Sequence, residues 1–248
     1  MRGNGVRGAI VAVLVSAAAA GGTAAAAAPA MSEPAQPPAP AFTNGQVTNP
    51  WFPLKPGTRM VYQGVKDGKR AVDVFYVTRR SRTIQGVVCR VVRDRLRLNG
   101  ALEERTVDWY AQSRNGAVWY FGERSAELGP HGHVITRDGS WMAGRHGARA
   151  GVYITAAPAD GQARSQEHYR GHAQDHFRVM DTSARVAVPL VRSSHAVLTK
   201  EWTPLEPAVV DHKYYLRDVG MVSEQSVKGP KETGLLVSIT GDAGTSHH

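Results

Sequence analysis

Asp108, Tyr110, Tyr120 and Glu123 fall within one stretch, Glu103 to Glu123 (EERTVDWYAQSRNGAVWYFGE), and a second acid–aromatic group, Glu201-Trp202, lies upstream of Glu206. Carboxyls beside amphipathic rings suit two chemistries. Two acids roughly 5–10 Å apart, with sugar-stacking rings nearby, could hydrolyse a glycosidic bond. Asp108, Glu123, Glu201 and Glu206 are the acids available, with Trp141 and Trp202 to stack. The same residue types could instead line a ligand cavity, where rings supply contact area and one or two acids fix orientation. The ligand-binding candidates are Asp108, Tyr110, Tyr120, Trp141, Glu201 and Trp202. Arg90, Arg105 and Lys200 are equally available to neutralise these acids, so no catalytic residue is assigned.

Histidine offers a third chemistry. His168, His172 and His176 are spaced by four and would share one face of a helix beside Glu167, although Gly171 opposes a continuous helix there. His131-Gly132-His133 could chelate from an extended loop, and His247-His248 from a tail. No accompanying carboxylate motif completes a ligand set, so these read as solvated polar loops and no metal or other cofactor is assigned. The chain carries no G-x-S-x-G elbow, phosphate loop or dinucleotide fingerprint, and Ser193-Ser194-His195 would need distant partners to form a triad. Cys89, the one cysteine, sits in the apolar run Val87 to Val92 and reads as a buried small hydrophobe.

The elements that position these residues are hairpins. With Gly116 in the left-handed position of a three-residue loop, Ser113 pairs with Ala117, Tyr110 with Tyr120 and Trp109 with Phe121. A two-residue turn would set Asp108 against Glu123, two like charges, and the first register is preferred. At Asn99-Gly100 a two-residue turn opposes Arg95 to Glu104 and Asp94 to Arg105, which charge favours over its neighbours. Further turns at Asp67-Gly68 and Asp218-Val219-Gly220, without sustained helical periodicity, predict a single antiparallel, strongly curved meander sheet, a half-barrel or barrel. The sheet is apolar on both faces in its middle, so it must be covered on both sides or curve round a cavity.

Residues 1–28 have the charged, apolar, then small-residue order of a secretory signal. Residues 29–41 form a Pro/Ala tether, 42–240 one β domain, and 241–248 a flexible tail. Within the domain, 129–176 is a Gly/His-rich, loop-rich insert, with a short helix expected from about His172 to Phe177. The address is extracytoplasmic and soluble, without a transmembrane segment after signal removal and, with no cysteine near the cleavage region, without a lipid anchor. The 248-residue chain has a formal charge of +9. No Lys/Arg block suggests a nucleic-acid arm, and a weak, salt-screened association with anionic envelope polymers or headgroups is expected.

NPWFPLKPGTRMVYQG resembles the Phe-Pro-Leu-x-x-Gly-x-x-Trp/Met-x-Tyr opening strand of uncharacterised exported bacterial proteins of actinobacterial type. DWYAQSRNGAVWYFGE, EWTPLEP and KYYLRDVGMVSE resemble their middle and closing hairpins. More distantly, the opening strand and closing hairpin are similar to curved half-barrel proteins that include lipoprotein carriers and lipid binders. The resemblance implies a curved sheet with an apolar concave face and transfers no catalytic residue. The expected function is an exported, non-enzymatic binding protein holding an apolar or amphipathic molecule, such as a lipid, on that face. The alternatives are an envelope hydrolase acting on glycan and a histidine-based metal binder.

Overall fold

The structure, a computed structural model, describes residues 35–241. The expected signal segment, the first part of the tether and the tail beyond Gly241 lie outside the described residues. Five long strands follow one another through tight turns: β1 (Arg59–Lys66), β2 (Lys69–Ile84), β3 (Val87–Leu98), β4 (Ala101–Gln112) and β5 (Val118–Leu128). The insert supplies short strands β6 (Val134–Thr136), β7 (Trp141–Met142), β8 (Arg149–Ile154), β9 (Ala163–Ser165) and β10 (Glu167–His168). Five more complete the meander: β11 (His176–Ala187), β12 (Arg192–Trp202), β13 (Val210–Leu216), β14 (Gly220–Lys228) and β15 (Glu232–Thr240). Among the described residues the only helical turns are Ala39–Ala41 and Pro130–Gly132. The expected helix at His172–Phe177 does not form. Tyr169 bridges to Ala173 in a tight turn around Gly171 (φ 77°), and His176 and Phe177 open β11.

All fifteen strands join one antiparallel sheet, ordered β10-β8-β5-β4-β3-β2-β1-β15-β14-β13-β12-β11-β9, with β6 and β7 also on β5. The two ends of this order are consecutive in the chain. Ala163–Ser165 pairs with β11 and Glu167–His168 with β8, so one extended segment spans the gap and the sheet nearly closes as a barrel. Gly151 makes this seam possible, because a Cβ there would run into the carbonyl groups of Ser165 and Gln166. Bulges on the β1–β15, β2–β3, β3–β4 and β4–β5 ladders supply the added twist that curls so long a meander.

Two bulges changed registers that charge and turn type had predicted. Beyond the Asn99-Gly100 turn, an irregularity at Leu96/Arg97 shifts β4 by one residue. Arg95 therefore opposes Arg105, Asp94 opposes Thr106 and Leu96 opposes Glu104, in place of the expected opposite-charge pairs. Burial of Leu96 and Leu98 outweighs exposed charge pairing, which contributes only about 0.2–1 kcal/mol per pair. The cost falls on Asp94 and Glu104, which are carried inside with the leucines.

At the second hairpin, Ser113 N–H bonds to the Ala117 carbonyl at 2.9 Å and Tyr110 opposes Tyr120, as the three-residue loop requires. Farther along, β5 holds one residue more than β4 at Phe121-Gly122, so Trp109 does not oppose Phe121 and Asp108 meets Glu123 after all. Gly122 (φ 123°) sits at this bulge, where a Cβ would collide with the Trp141 carbonyl and lie 2.8 Å from Met142 Cα. We expect Gly122→Ala to lower unfolding free energy by about 2 kcal/mol or more in urea titrations, with Gly132→Ala, which meets nothing within 4 Å, costing less.

The two faces of the hairpin are covered differently. Outside, Phe42 meets Trp119 and Phe121 edge-on at 6.2 and 5.5 Å. Inside, Phe52 packs on Phe75, Tyr110 and Tyr153 at 5.9, 5.2 and 4.5 Å, so the Pro-rich opening segment plugs the barrel. Asn49 fixes that plug by donating to the Gly116 and Thr155 carbonyls, while Gln112 Oε1 accepts from the Thr48 and Asn49 amides. Cys89 is buried, and its surroundings push the thiol pKa up.

Candidate functional site

Burial of charge is the unusual property of this barrel. Among the described residues eleven carboxyl side chains are buried, namely Asp73, Asp94, Glu104, Asp108, Glu123, Glu167, Asp175, Glu201, Asp211, Glu224 and Glu232. Only two cationic side chains, Lys66 and Lys213, are buried with them. Strand alternation explains how they get there. On β3, Asp94, Leu96 and Leu98 point in while Arg93, Arg95 and Arg97 point out, so the outer face takes the arginines and the inner face the acids.

One wall carries the acids of β4, β5 and the seam. Tyr120 donates its hydroxyl to Asp108 Oδ1 at 2.8 Å, and Trp141 Nε1 donates to Glu167 Oε1 at 3.0 Å. Tyr110 stacks on Tyr120 at 4.7 Å, and Trp141 meets Tyr120 edge-on at 5.5 Å. Asp108 and Glu123 are 1% and 2% exposed and directly opposed on neighbouring strands. Burial, ahead of the neighbouring acids, pushes Asp108 up to about 7 and Glu167 up to about 8, and raises Glu123 and Asp175 well above ordinary carboxylates. Asp94 is raised too, by burial and then by the charge of the neighbouring Asp73. Burial and the facing acids both favour the protonated form, which lets two carboxyls sit opposite one another here.

The other wall carries an ion-pair network. Lys213 Nζ lies 2.9 Å from Glu201 Oε2 and 3.6 Å from Glu224 Oε1. Tyr215 and Thr199 hydroxyls donate to Glu201 Oε1 at 3.1 and 3.0 Å. Tyr153 and its neighbour Tyr215 stand between the walls, with Tyr153 edge-on to Tyr110 at 5.1 Å.

Of the six sequence candidates, the fold brings Asp108, Tyr110, Tyr120 and Trp141 into one contact group and places Glu201 on the opposite wall. Trp202, next along β12, faces outward, where it stacks on His176 at 5.5 Å under Lys200. Neither Arg90 nor Arg105 neutralises these acids: Arg90 donates to the Gly45 carbonyl at 2.7 Å, and Arg105 lies on the outer face. The counter-ion is Lys213, which sequence reasoning passed over. Its signal is alternation in Val210–Leu216, where Asp211, Lys213 and Tyr215 share the inward face. Glu104 alternates in the same way on β4, whereas Glu167, Asp175 and Glu224 lie where no local alternation marks an inward side.

An opening of about 330 Å³ lies at the seam, lined by Gly147, Arg149, Glu167, His168, Tyr169 and His176 among others. His168 is pushed down to about 4 by burial, Arg149 and His176, and burial lowers His176 as well, so both rings are neutral at pH 7. Ser165 Oγ holds His176 Nδ1 at 2.8 Å. His172 points away and stacks on Tyr169. Among the described residues no group of three His, Cys, Asp or Glu side chains is arranged to hold a metal ion.

No family model matches the chain, and no curated protein matches it. The chain is similar to a solved structure from Bacteroides fragilis, named as an exported protein with a YmcC-like fold, at 15% identity and TM-score 0.43. It is also similar to one from Parabacteroides distasonis, named as a lipoprotein, at 11% identity and TM-score 0.38. Each likeness covers 77% of this chain and 98% of the other. Among the described residues no helix is long and apolar enough to cross a membrane.

Proposed function

We propose that this is an extracytoplasmic, non-enzymatic binding protein whose barrel takes a small amphipathic molecule with a cationic head. The observation that carries this reading is the excess of eleven buried carboxyls over two buried lysines beside a cluster of aromatic rings. Each buried carboxyl must hold a proton or meet a cation. A ligand ammonium reaching Asp108, Glu123 and Glu167 would displace their protons, while its apolar part replaces contacts among Tyr110, Tyr120, Tyr153 and Phe52. The seam offers the way in, because its closing segment holds β8 and β11 through only short ladders. A hydrolase built on Glu201 lacks such support, since Glu201 is tied to Lys213.

The test compares three twelve-carbon amphiphiles of different head, dodecyltrimethylammonium, dodecyl maltoside and dodecyl sulfate, below their micellar concentrations. Saturable change in tryptophan fluorescence is expected for the cationic head alone. Binding should release protons, seen as a heat that varies with buffer ionisation enthalpy, and should tighten as pH rises through about 7–8. Asp108→Asn with Glu167→Gln should weaken it about tenfold or more. Equal response to all three heads, or none to any, would falsify the reading.

A further inference from the structure

The arginines that alternate with the buried acids gather on the outside of β3, β4 and β5. Arg93, Val107 and Arg124 form one cross-strand row, and Arg95, Arg105 and Ala126 the next. Arg137, from the loop between β6 and β7, joins them, and the five arginines line a groove of about 360 Å³ floored by Val107 and Ala126. All five side chains are exposed, and none makes a salt bridge among the described residues. Directly opposed like charges destabilise a sheet, and here Arg95 is set against Arg105 by a bulge that turns the available acids, Asp94 and Glu104, to the far side. A face that is only solvated has no need of this concentration of one sign.

We infer that this groove binds a ligand bearing two or more phosphate groups. Guanidinium forks match phosphate oxygens in bidentate pairs. Neighbouring strands lie about 4.8 Å apart, so the arginines extend over roughly 10 Å from β3 to β5, more than one phosphate can engage. The apolar floor accommodates the linking backbone between phosphates. Asp94 and Thr106 also border the groove, but both are 1% exposed, so the arginine face is distinct from the barrel's interior.

The probes are tripolyphosphate and vesicles of phosphatidylcholine with or without cardiolipin, which carries two phosphates, added to the full chain at about 0.15 M salt. Arg95→Ser with Arg105→Ser should weaken binding about tenfold or more, whereas Arg145→Ser with Arg178→Ser, of equal net charge, should leave it unchanged. The first pair should melt no lower than the parent, since it removes a repulsion. Should it fail to fold, Arg95→Lys with Arg105→Lys keeps the charge, loses the fork and should still weaken binding severalfold. Arginine-dependent binding of tripolyphosphate alone identifies a soluble phosphate ligand, and arginine-dependent binding of cardiolipin vesicles identifies a lipid headgroup. Equal loss in the control pair, or no binding of either probe by the parent, overturns the proposal.

Discussion

Replacing Lys213 with methionine should lower the unfolding free energy by about 3–5 kcal/mol at pH 8, among the largest single effects available in this fold. Lys213 is 1% exposed and is the cation that Glu201 and Glu224 face at 2.9 and 3.6 Å. Methionine fills a similar volume, so the loss is electrostatic. Removing one partner leaves two carboxyls without a counter-charge in a medium that cannot solvate them. They respond by taking up protons, so the deficit should shrink at pH 5. Adding Glu201→Gln and Glu224→Gln to the Lys213→Met chain should recover most of it, because a neutral, hydrogen-bonded core can be as stable as a buried ion pair. Urea titrations at both pH values check this. A deficit below about 1 kcal/mol at pH 8 would show that the carboxyls are neutralised by something other than Lys213.

The stability of the whole protein should fall as pH rises from 6.5 to 8.5, the reverse of a fold held by paired carboxylates. Asp94, Asp108, Glu123, Glu167, Asp175 and Glu224 all have pKa values raised by burial. Between the unfolded and folded pKa values the native state holds more protons than the unfolded chain. Stability from these groups is therefore complete below pH 4 and is lost as pH climbs through the folded values. His168 and His176 act in the opposite direction, since both are held neutral when folded, but their contribution ends near pH 6.5. Above that the carboxyls decide the sign. Glu167, at about 8, should alone account for about 2 kcal/mol between pH 6.5 and 8. Glu167→Gln keeps an acceptor for Trp141 and should flatten the profile by that amount, becoming more stable than the parent at pH 8.5. Thermal unfolding across this range provides the measurement, and a parent protein that gains stability toward pH 8.5 would contradict protonated barrel carboxyls.

Local signals carried most of the architecture. Asp67-Gly68, Asn99-Gly100, Asn115-Gly116 and the Asp218-Val219-Gly220 turn all sit where chain reversals occur, because left-handed backbone is specified within two or three residues. The Tyr110–Tyr120 pairing follows from the loop type for the same reason. The register beyond each turn does not. At Leu96 and at Gly122 a bulge reset the pairing, and whether a bulge forms depends on what must be buried across the sheet and on Trp141, nineteen residues beyond Gly122.

The acids show the same division between local and distant causes. Alternation in β3 and β13 marks one face for Asp94 or Lys213 and the other for arginine or histidine, although the apolar middles of the strands pointed to a sheet alike on both faces. Sequence alone determined a meander of antiparallel hairpins and a loop-rich stretch between β5 and β11. Only the tertiary structure decided which face became the inside. Curling the sheet until Ser165 and Glu167 meet opposite edges turned the acidic faces of strands far apart in the chain toward one another. Charge on a sequence reads as solvated because most surfaces are open to water. Closure removes that water, and burial then favours the protonated form of the same carboxyls or sets them beside one of the two lysines buried with them.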